Sequence, residues 1–294
     1  MGPAGRRRDR GSGQRLVSEP TTGGTLWLVA TPIGNLGDLQ PRAIEVLRAA
    51  ALVCCEDTRR TGRLLQHAGI RAERLAVTND HTEFNRIDEV LAVLGDGRDV
   101  AIVTDAGTPG ISDPGERLVG AALRGGFKVS AVPGPAAAVM ALVISGLPTA
   151  RYVFEGFIPR SGRQRTNRIA EVAAETRTIV IYEAPHRIER TLVDLRSACG
   201  DDRPVAVCRE LTKMYEEVHR GTLGAIQIGE PRGEYVIVLG AAPVDETPVD
   251  DDAIRTALQL ALAVGATKKD AIAAVALRLG VAKKTVYSLA VTVS

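Results

Sequence analysis

From residue 25 to residue 145, short apolar runs alternate with amphipathic stretches. Thr25 to Ala30, Leu52 to Cys55, Leu75 to Thr78, Val100 to Val103 and Lys128 to Val132 read as buried strands. Between them lie helical patterns. Pro41 to Ala50 opens on a proline, which a first helical turn tolerates. Arg59 to Ala68 follows, then Asn85 to Leu94 with Ile87, Val90, Leu91 and Leu94 on one face, Glu116 to Leu123, and Ala136 to Ser145. This strand-loop-helix alternation predicts a parallel sheet covered by helices.

Beyond Leu147 the grammar changes. Tyr152 to Phe157, Thr178 to Tyr182, Val205 to Arg209, Glu216 to Arg220 and Glu234 to Leu239 are strand candidates. The last three follow one another with few helical residues between, as antiparallel strands do, so a second α/β domain with a mixed sheet is expected. Gly240 to Asp250 reads as a Pro- and acid-rich linker. Asp252 to Val264, Lys268 to Leu279 and Thr285 to Val293 then form three short helices, with Thr267 and Asp270 spaced to cap the second. The predicted organisation is a disordered basic tail (1–23), two α/β domains (24–148 and 149–241), and a linker with a three-helix module (242–294).

Composition narrows the function classes. With 294 residues, 45% of them hydrophobic, the chain can bury large cores, and a formal charge of +2 means any nucleic-acid surface must come from local clustering of basic residues. No apolar run is long enough for a transmembrane helix, and no membrane partner is expected. The cysteines, Cys54, Cys55, Cys199 and Cys208, lack metal spacing and read as buried thiols in a reducing cytoplasm; no metal site is expected.

The densest chemistry lies in Val100 to Gly115, VAIVTDAGTPGISDPG. An apolar strand stops at Thr104-Asp105 and feeds a loop containing Gly107, Pro109, Gly110, Pro114 and Gly115. Ligands of open α/β sheets lie outside the carboxyl ends of the strands, so this loop is the first candidate site. TPIGNLGD (31–38) lacks the dinucleotide and P-loop spacings; it is either a tight turn or a loop that lets backbone approach a ligand. On the following helix Arg59, Arg63 and His67 share a face, with Arg60 beside them. They grip phosphates or form a solvated face paired with Glu56 and Asp57. VPGPAAA (132–138) is a rigid turn before small residues, suited to a flat ligand or to close helix packing. With no nucleophile triad or metal motif in view, the pattern favours a reactive cosubstrate that the protein positions.

TPIGNLGD, EDTRRTGRLL, VTDAGTPGISDPG, VPGPAAA, YEAPHR and GEYVIVL occur in the order and spacing of one family. From about Gly24 to the C-terminus the chain resembles the bacterial small-subunit ribosomal RNA ribose 2′-O-methyltransferases of the tetrapyrrole-methylase superfamily. The resemblance implies two α/β domains with a cofactor cleft between them, S-adenosylmethionine as cofactor, a homodimer in the cytoplasm, and methyl transfer to a cytidine 2′-hydroxyl in the decoding region. It implies cofactor contacts from Pro32, Asp105, Gly107, Thr108, Pro109, Ile111, Ala136, Ala137, Tyr182, Ala184, Gly233 and Glu234. Thr108 stands where many relatives have Asp, and Ala136 where the superfamily usually has Ser. RNA contacts are expected from Arg59, Arg60, Arg63, Lys213 and His219, with Lys268, Lys269, Lys283 and Lys284 adding phosphate affinity in the C-terminal helices. Asp57 and Glu56 are the candidates for a catalytic base, with Asp105 and Glu183 as alternatives; Asp57 can equally cap the arginine helix. Two rival readings remain: a methylase of a small ring, and a non-catalytic ribosome-binding protein.

Overall fold

The computed structural model describes residues 23–79, 82–243 and 250–291. The expected basic tail, Gly23 apart, and most of the expected linker lie outside the described residues. The chain divides into two compact units, residues 1–242 and 243–294.

In the first unit, β1 (Thr25–Val29), β2 (Leu52–Cys55), β3 (Leu75–Val77), β4 (Val100–Ile102) and β5 (Lys128–Val132) form a parallel sheet in the order β3-β2-β4-β1-β5. Apolar residues fill both faces because helices cover both. Helices α1 (Pro41–Ala49) and α2 (Thr58–His67) bring Ala43, Leu47 and Leu65 onto the face that carries Val29, Val53, Cys55 and Ala101. Helices α3 (Glu83–Gly95) and α4 (Glu116–Arg124) bring Val90, Leu94, Leu118 and Ala122 onto the face of Leu26, Cys54 and Ile102. The neighbouring cysteines thus point to opposite faces, as strand alternation requires. Cys54, Cys55 and Cys208 are buried and unpaired by any disulfide, whereas Cys199 is only half-buried, a departure from the expectation of four buried thiols.

The loops after β1 and β4 leave adjacent strands for opposite faces of the sheet, which opens a crevice between them. A backbone bridge, Thr31 N–H to Gly107 O at 2.8 Å and its reciprocal at 3.1 Å, ties the two loops together. The far end of the glycine loop is anchored by Glu83. Its buried carboxylate accepts the Gly115 and Leu118 N–H groups at 3.1 and 3.0 Å, capping α4, whose own cap residue has no side chain.

The second sheet holds β6 (Tyr152–Phe157), β7 (Thr178–Glu183), β8 (Pro204–Arg209), β9 (Glu217–Thr222) and β10 (Tyr235–Leu239), in the order β6-β7-β10-β8-β9. Only the β6–β7 pair is parallel. Helices α6 (Gly162–Ala174) and α7 (Ile188–Cys199), not delimited by the sequence reading, pack Ile169, Val172, Ile188 and Leu195 on one face. The opposite face (Val180, Ala206, Cys208, Val236 and Val238) receives Ala138, Ala141 and Leu142 of α5 (Ala137–Ile144). Thus α5 follows the first sheet in the chain but packs on the second. Its alanines permit the close approach, and it joins the two sheets into one unit.

In the second unit α8 (Asp251–Ala263), α9 (Lys268–Leu279) and α10 (Lys283–Ala290) enclose a core that includes Ile254, Leu258, Val275 and Val286. Thr267 caps α9 through the Asp270 N–H, as its spacing predicts, and Gly280 ends it in the left-handed conformation. Lys268, Lys269, Lys283 and Lys284 occupy the first positions of α9 and α10. No helix among the described residues is long and apolar enough to cross a membrane.

Candidate functional site

A cleft of about 430 Å³ opens where the β4 loop and the start of α5 face β7 and β10. One wall is loop backbone and small residues, Ala106, Gly107, Thr108, Ala136 and Ala137. The other carries Tyr182, Ala184, Leu211 and Val236, with Ile33, Ile111 and Phe157 along its edges.

The glycine loop is shaped for close approach. Gly107 has φ +89°, and a Cβ there would lie 3.3 Å from Ile33 Cγ2. Thr108 does have a side-chain role: its hydroxyl donates to Pro135 O at 3.1 Å and ties the loop to the Pro-Gly-Pro turn. Ser112, also on the cleft, adopts φ +61°, a conformation uncommon outside glycine.

Tyr182 links the two walls. Its hydroxyl accepts the Ala138 N–H at 3.1 Å, satisfying one of the free donors at the start of α5. Its ring packs edge-on against Phe154 and Phe157, with centroids 4.9 and 5.7 Å away. Burial pushes its phenol pKa above the ordinary value, so it stays neutral.

The four carboxylates considered as bases separate by environment. Glu183 is buried and fully engaged: it accepts the Ala184 N–H and the Thr191 hydroxyl at 2.9 and 2.6 Å and pairs with Arg187 at 3.1 Å. Asp57 is absent from the lining of the cleft; it caps α2 and forms a two-pronged contact with Arg59, whose hydrogen bonds hold its carboxyl below the usual range. Glu56 borders the cleft and accepts the Asp105 N–H at 3.0 Å, fixing the loop rather than standing free. Asp105 differs from all three. Its Oδ2 lies 3.2 Å from Arg60, while its Oδ1 is buried without a hydrogen-bond partner. Burial raises its pKa, with Arg60 opposing.

Of the residues expected at the cofactor, Asp105, Gly107, Thr108, Ile111, Ala136, Ala137, Tyr182, Ala184 and Glu234 line the cleft. Pro109 and Gly233 do not. Gly233 supports it indirectly: at φ +74° a Cβ there would strike Glu210. Pro32 lines a second hollow, of about 290 Å³, beside α2. Arg60 and Arg63 border that hollow, while Arg59 is exposed and paired with Asp57. Lys213 is held by Glu210 and Glu234 at 2.7 and 2.9 Å and packs over Gly34, where a Cβ would meet its chain. Burial opposes its charge, but the two carboxylates prevail and hold its pKa above the ordinary value. His219 lies on edge strand β9, 3.2 Å from Glu217, and lines neither hollow. Residue-level reading missed Ile33, Phe157, Leu211 and Val236. Leu211 sits between Glu210 and Thr212, both left-handed at φ +52° and +66°, a turn that nothing in their side chains announces.

Fold and cleft together define an α/β protein with a cleft of small-molecule size between a parallel and a mixed sheet. Residues 25–227 match the family of tetrapyrrole (corrin/porphyrin) methylases. Among curated relatives, a protein of Synechocystis sp. (strain PCC 6803) named ribosomal RNA small subunit methyltransferase I is 43% identical over 90% of this chain and 97% of its own. Proteins of the same name from Escherichia coli O157:H7 and Mycobacterium tuberculosis are 41% identical, over 91% of this chain and 94% of theirs, and 43% identical, over 86% and 89%. The methyltransferase CobJ (TM-score 0.58, 19% identity, 75% of this chain and 95% of its own) shares the fold. So does uroporphyrin-III C-methyltransferase from Thermus thermophilus (0.51, 22%, 74% and 94%). The chain belongs to the tetrapyrrole methylase family. It is a methyltransferase, and S-adenosylmethionine is its methyl donor. The cleft fits that donor: Gly107 leaves room that a Cβ would fill, and Ala136, Ala137 and Ala184 expose backbone to a flat ring.

Proposed function

We propose that this chain methylates the ribose 2′-hydroxyl of a cytidine in the decoding region of small-subunit ribosomal RNA. One observation carries the reading to RNA: the cofactor-sized cleft shares Arg60 and Asp105 with a second hollow whose rim is the arginine-bearing helix α2. Arginine is suited to backbone phosphates, which fix register and orientation on a nucleic acid. The names and coverage of the curated relatives support the same substrate.

S-adenosylmethionine supplies an electrophilic methyl group when bound. The chain's own part is to hold it on the backbone of Gly107 and Thr108 and of Ala136 and Ala137, with Tyr182, Ile111 and Leu211 excluding water around it. Such positioning supplies about 7–11 kcal/mol in favourable cases. The protein acts as a homodimer in the cytoplasm. The exposed apolar face of α5, with Val139, Met140 and Val143, supports self-association.

The test uses tritiated S-adenosylmethionine and small subunits from cells lacking this activity, with the label mapped by nucleotide. Label on a cytidine 2′-oxygen is the expected result. Label absent from RNA despite cofactor binding would move the assignment to a small-molecule methylase.

A further inference from the structure

The second hollow is bounded by Pro32, Leu36, Arg60, Arg63, Leu64 and Asp105, together with Thr31, Thr61 and Thr104. Its floor is rigid. The Thr31 hydroxyl donates to Thr104 O at 3.2 Å, and the Thr31–Gly107 bridge fixes both loops beneath it. Its wall is shared: Arg60 and Asp105 face this hollow and the cofactor cleft alike. At about 290 Å³ it lies at the lower limit of small-molecule sites, a size for one nucleoside and not for a four-ring macrocycle.

We infer that this hollow receives the target nucleotide, splayed out of its strand, and that Asp105 at the seam accepts the proton of the attacking hydroxyl. The inference rests on the RNA reading above and adds to it the acceptor subsite and the base. Three features converge. The rim arginines Arg60 and Arg63 lie one helical turn apart and are mostly exposed, placed for the phosphates flanking a single nucleotide. The sides are apolar (Pro32, Leu36 and Leu64), as a nucleoside ring requires. The Asp105 carboxylate, its Oδ2 paired with Arg60, belongs to a residue that lines both this hollow and the cofactor cleft, where the methyl group must cross.

A hydroxyl in a stacked strand cannot reach a carboxylate inside a hollow, so the nucleotide enters unstacked. The step balances: the 2′-oxygen gains the methyl carbon, the pair from the broken sulfur–carbon bond stays on sulfur, and the proton passes to the Asp105 carboxylate. Arg60, 3.2 Å from its Oδ2, sets the carboxylate's orientation.

Two variants of the full chain test this, each measured for S-adenosylmethionine affinity, small-subunit affinity and single-turnover methyl transfer. Asp105→Asn should slow single-turnover transfer about 10²–10⁴-fold, the range for a positioned base, at saturating S-adenosylmethionine and subunits. Leu36→Trp, at a half-exposed turn residue, should fill the hollow and lower kcat/KM for subunits at least 100-fold with cofactor binding unchanged. The wild-type transfer rate should fall as pH drops through the pKa of Asp105. That limb is displaced upward from the ordinary aspartate value, because burial, joined by the Asp57 charge, outweighs Arg60, the Asp57 backbone hydrogen bond and Arg59. The backbone contact to Glu56 is unaffected by the substitution, and Asp105→Asn should abolish the limb. Near-wild-type transfer by Asp105→Asn, or unchanged kcat/KM in Leu36→Trp, overturns the inference. Absence of RNA labelling by wild-type protein would instead remove the RNA reading.

Discussion

The parallel sheet ends its strands in loops that carry glycine and charge: Thr31 to Asp38 after β1, Glu56-Asp57 after β2, and Thr104 to Gly115 after β4. The mixed sheet presents Val180, Cys208, Val236 and Val238, a nearly continuous apolar face bordered by Glu234, and Arg165, Thr191, Glu183 and Arg187 interlock at its edge. One sheet supplies reactive and backbone groups; the other supplies a dry wall and rigidity. Backbone strain borders the cleft on both sides, at Ser112 in the glycine loop and at Glu210 and Thr212 around Leu211.

The largest expected effect breaks the rigid side. Glu183→Ala leaves Arg187 and Thr191 without their acceptor in a buried network, at a cost of about 3–5 kcal/mol. At about 2–4 °C per kcal/mol, thermal unfolding should start roughly 6–20 °C lower. Scanning calorimetry checks this, and an unchanged midpoint would show that the network contributes nothing. Gly107→Ala strikes the other side. A left-handed backbone costs an L-residue about 1–2 kcal/mol, which should lower the unfolding midpoint by only about 2–8 °C, while the added methyl beside Ile33 narrows the cleft and should weaken S-adenosylmethionine binding by titration calorimetry. If the midpoint falls and affinity does not, the division between the two sheets is wrong. The smallest effect belongs to the rim. Arg63→Ala should weaken subunit binding only several-fold and reduce its salt slope by about one, leaving cofactor affinity intact. Loss of cofactor affinity in that variant would mean that the two hollows are one site.

Much of the parallel half could be read from local pattern. Its strands are apolar on both faces, and its ligand loop demands glycine at positions such as Gly107, a requirement of the backbone alone. The Thr267 cap and the Gly280 stop were legible for the same reason. The mixed half was less so. Leu211 and Val236 become cleft residues only because β10 inserts between β7 and β8, a pairing across about 50 and 30 residues that no short window contains. The packing of α5 on the far sheet was equally hidden, since its small apolar residues suit either neighbour.

The sequence by itself determined the alternation of elements, the glycine loop, the arginine helix and the set of acidic residues near strand ends, because each follows from backbone preference or side-chain period over a few residues. It could not separate Glu56, Asp57, Asp105 and Glu183, which are chemically alike. Only the tertiary structure gave Glu183 to a buried network, Asp57 to a helix cap and Glu56 to a loop hydrogen bond, and set Asp105, paired with Arg60, in the lining of both hollows. The difference is physical: the proton affinity and availability of a carboxylate depend on the water excluded and the partners brought to it, and both arrive from distant parts of the chain.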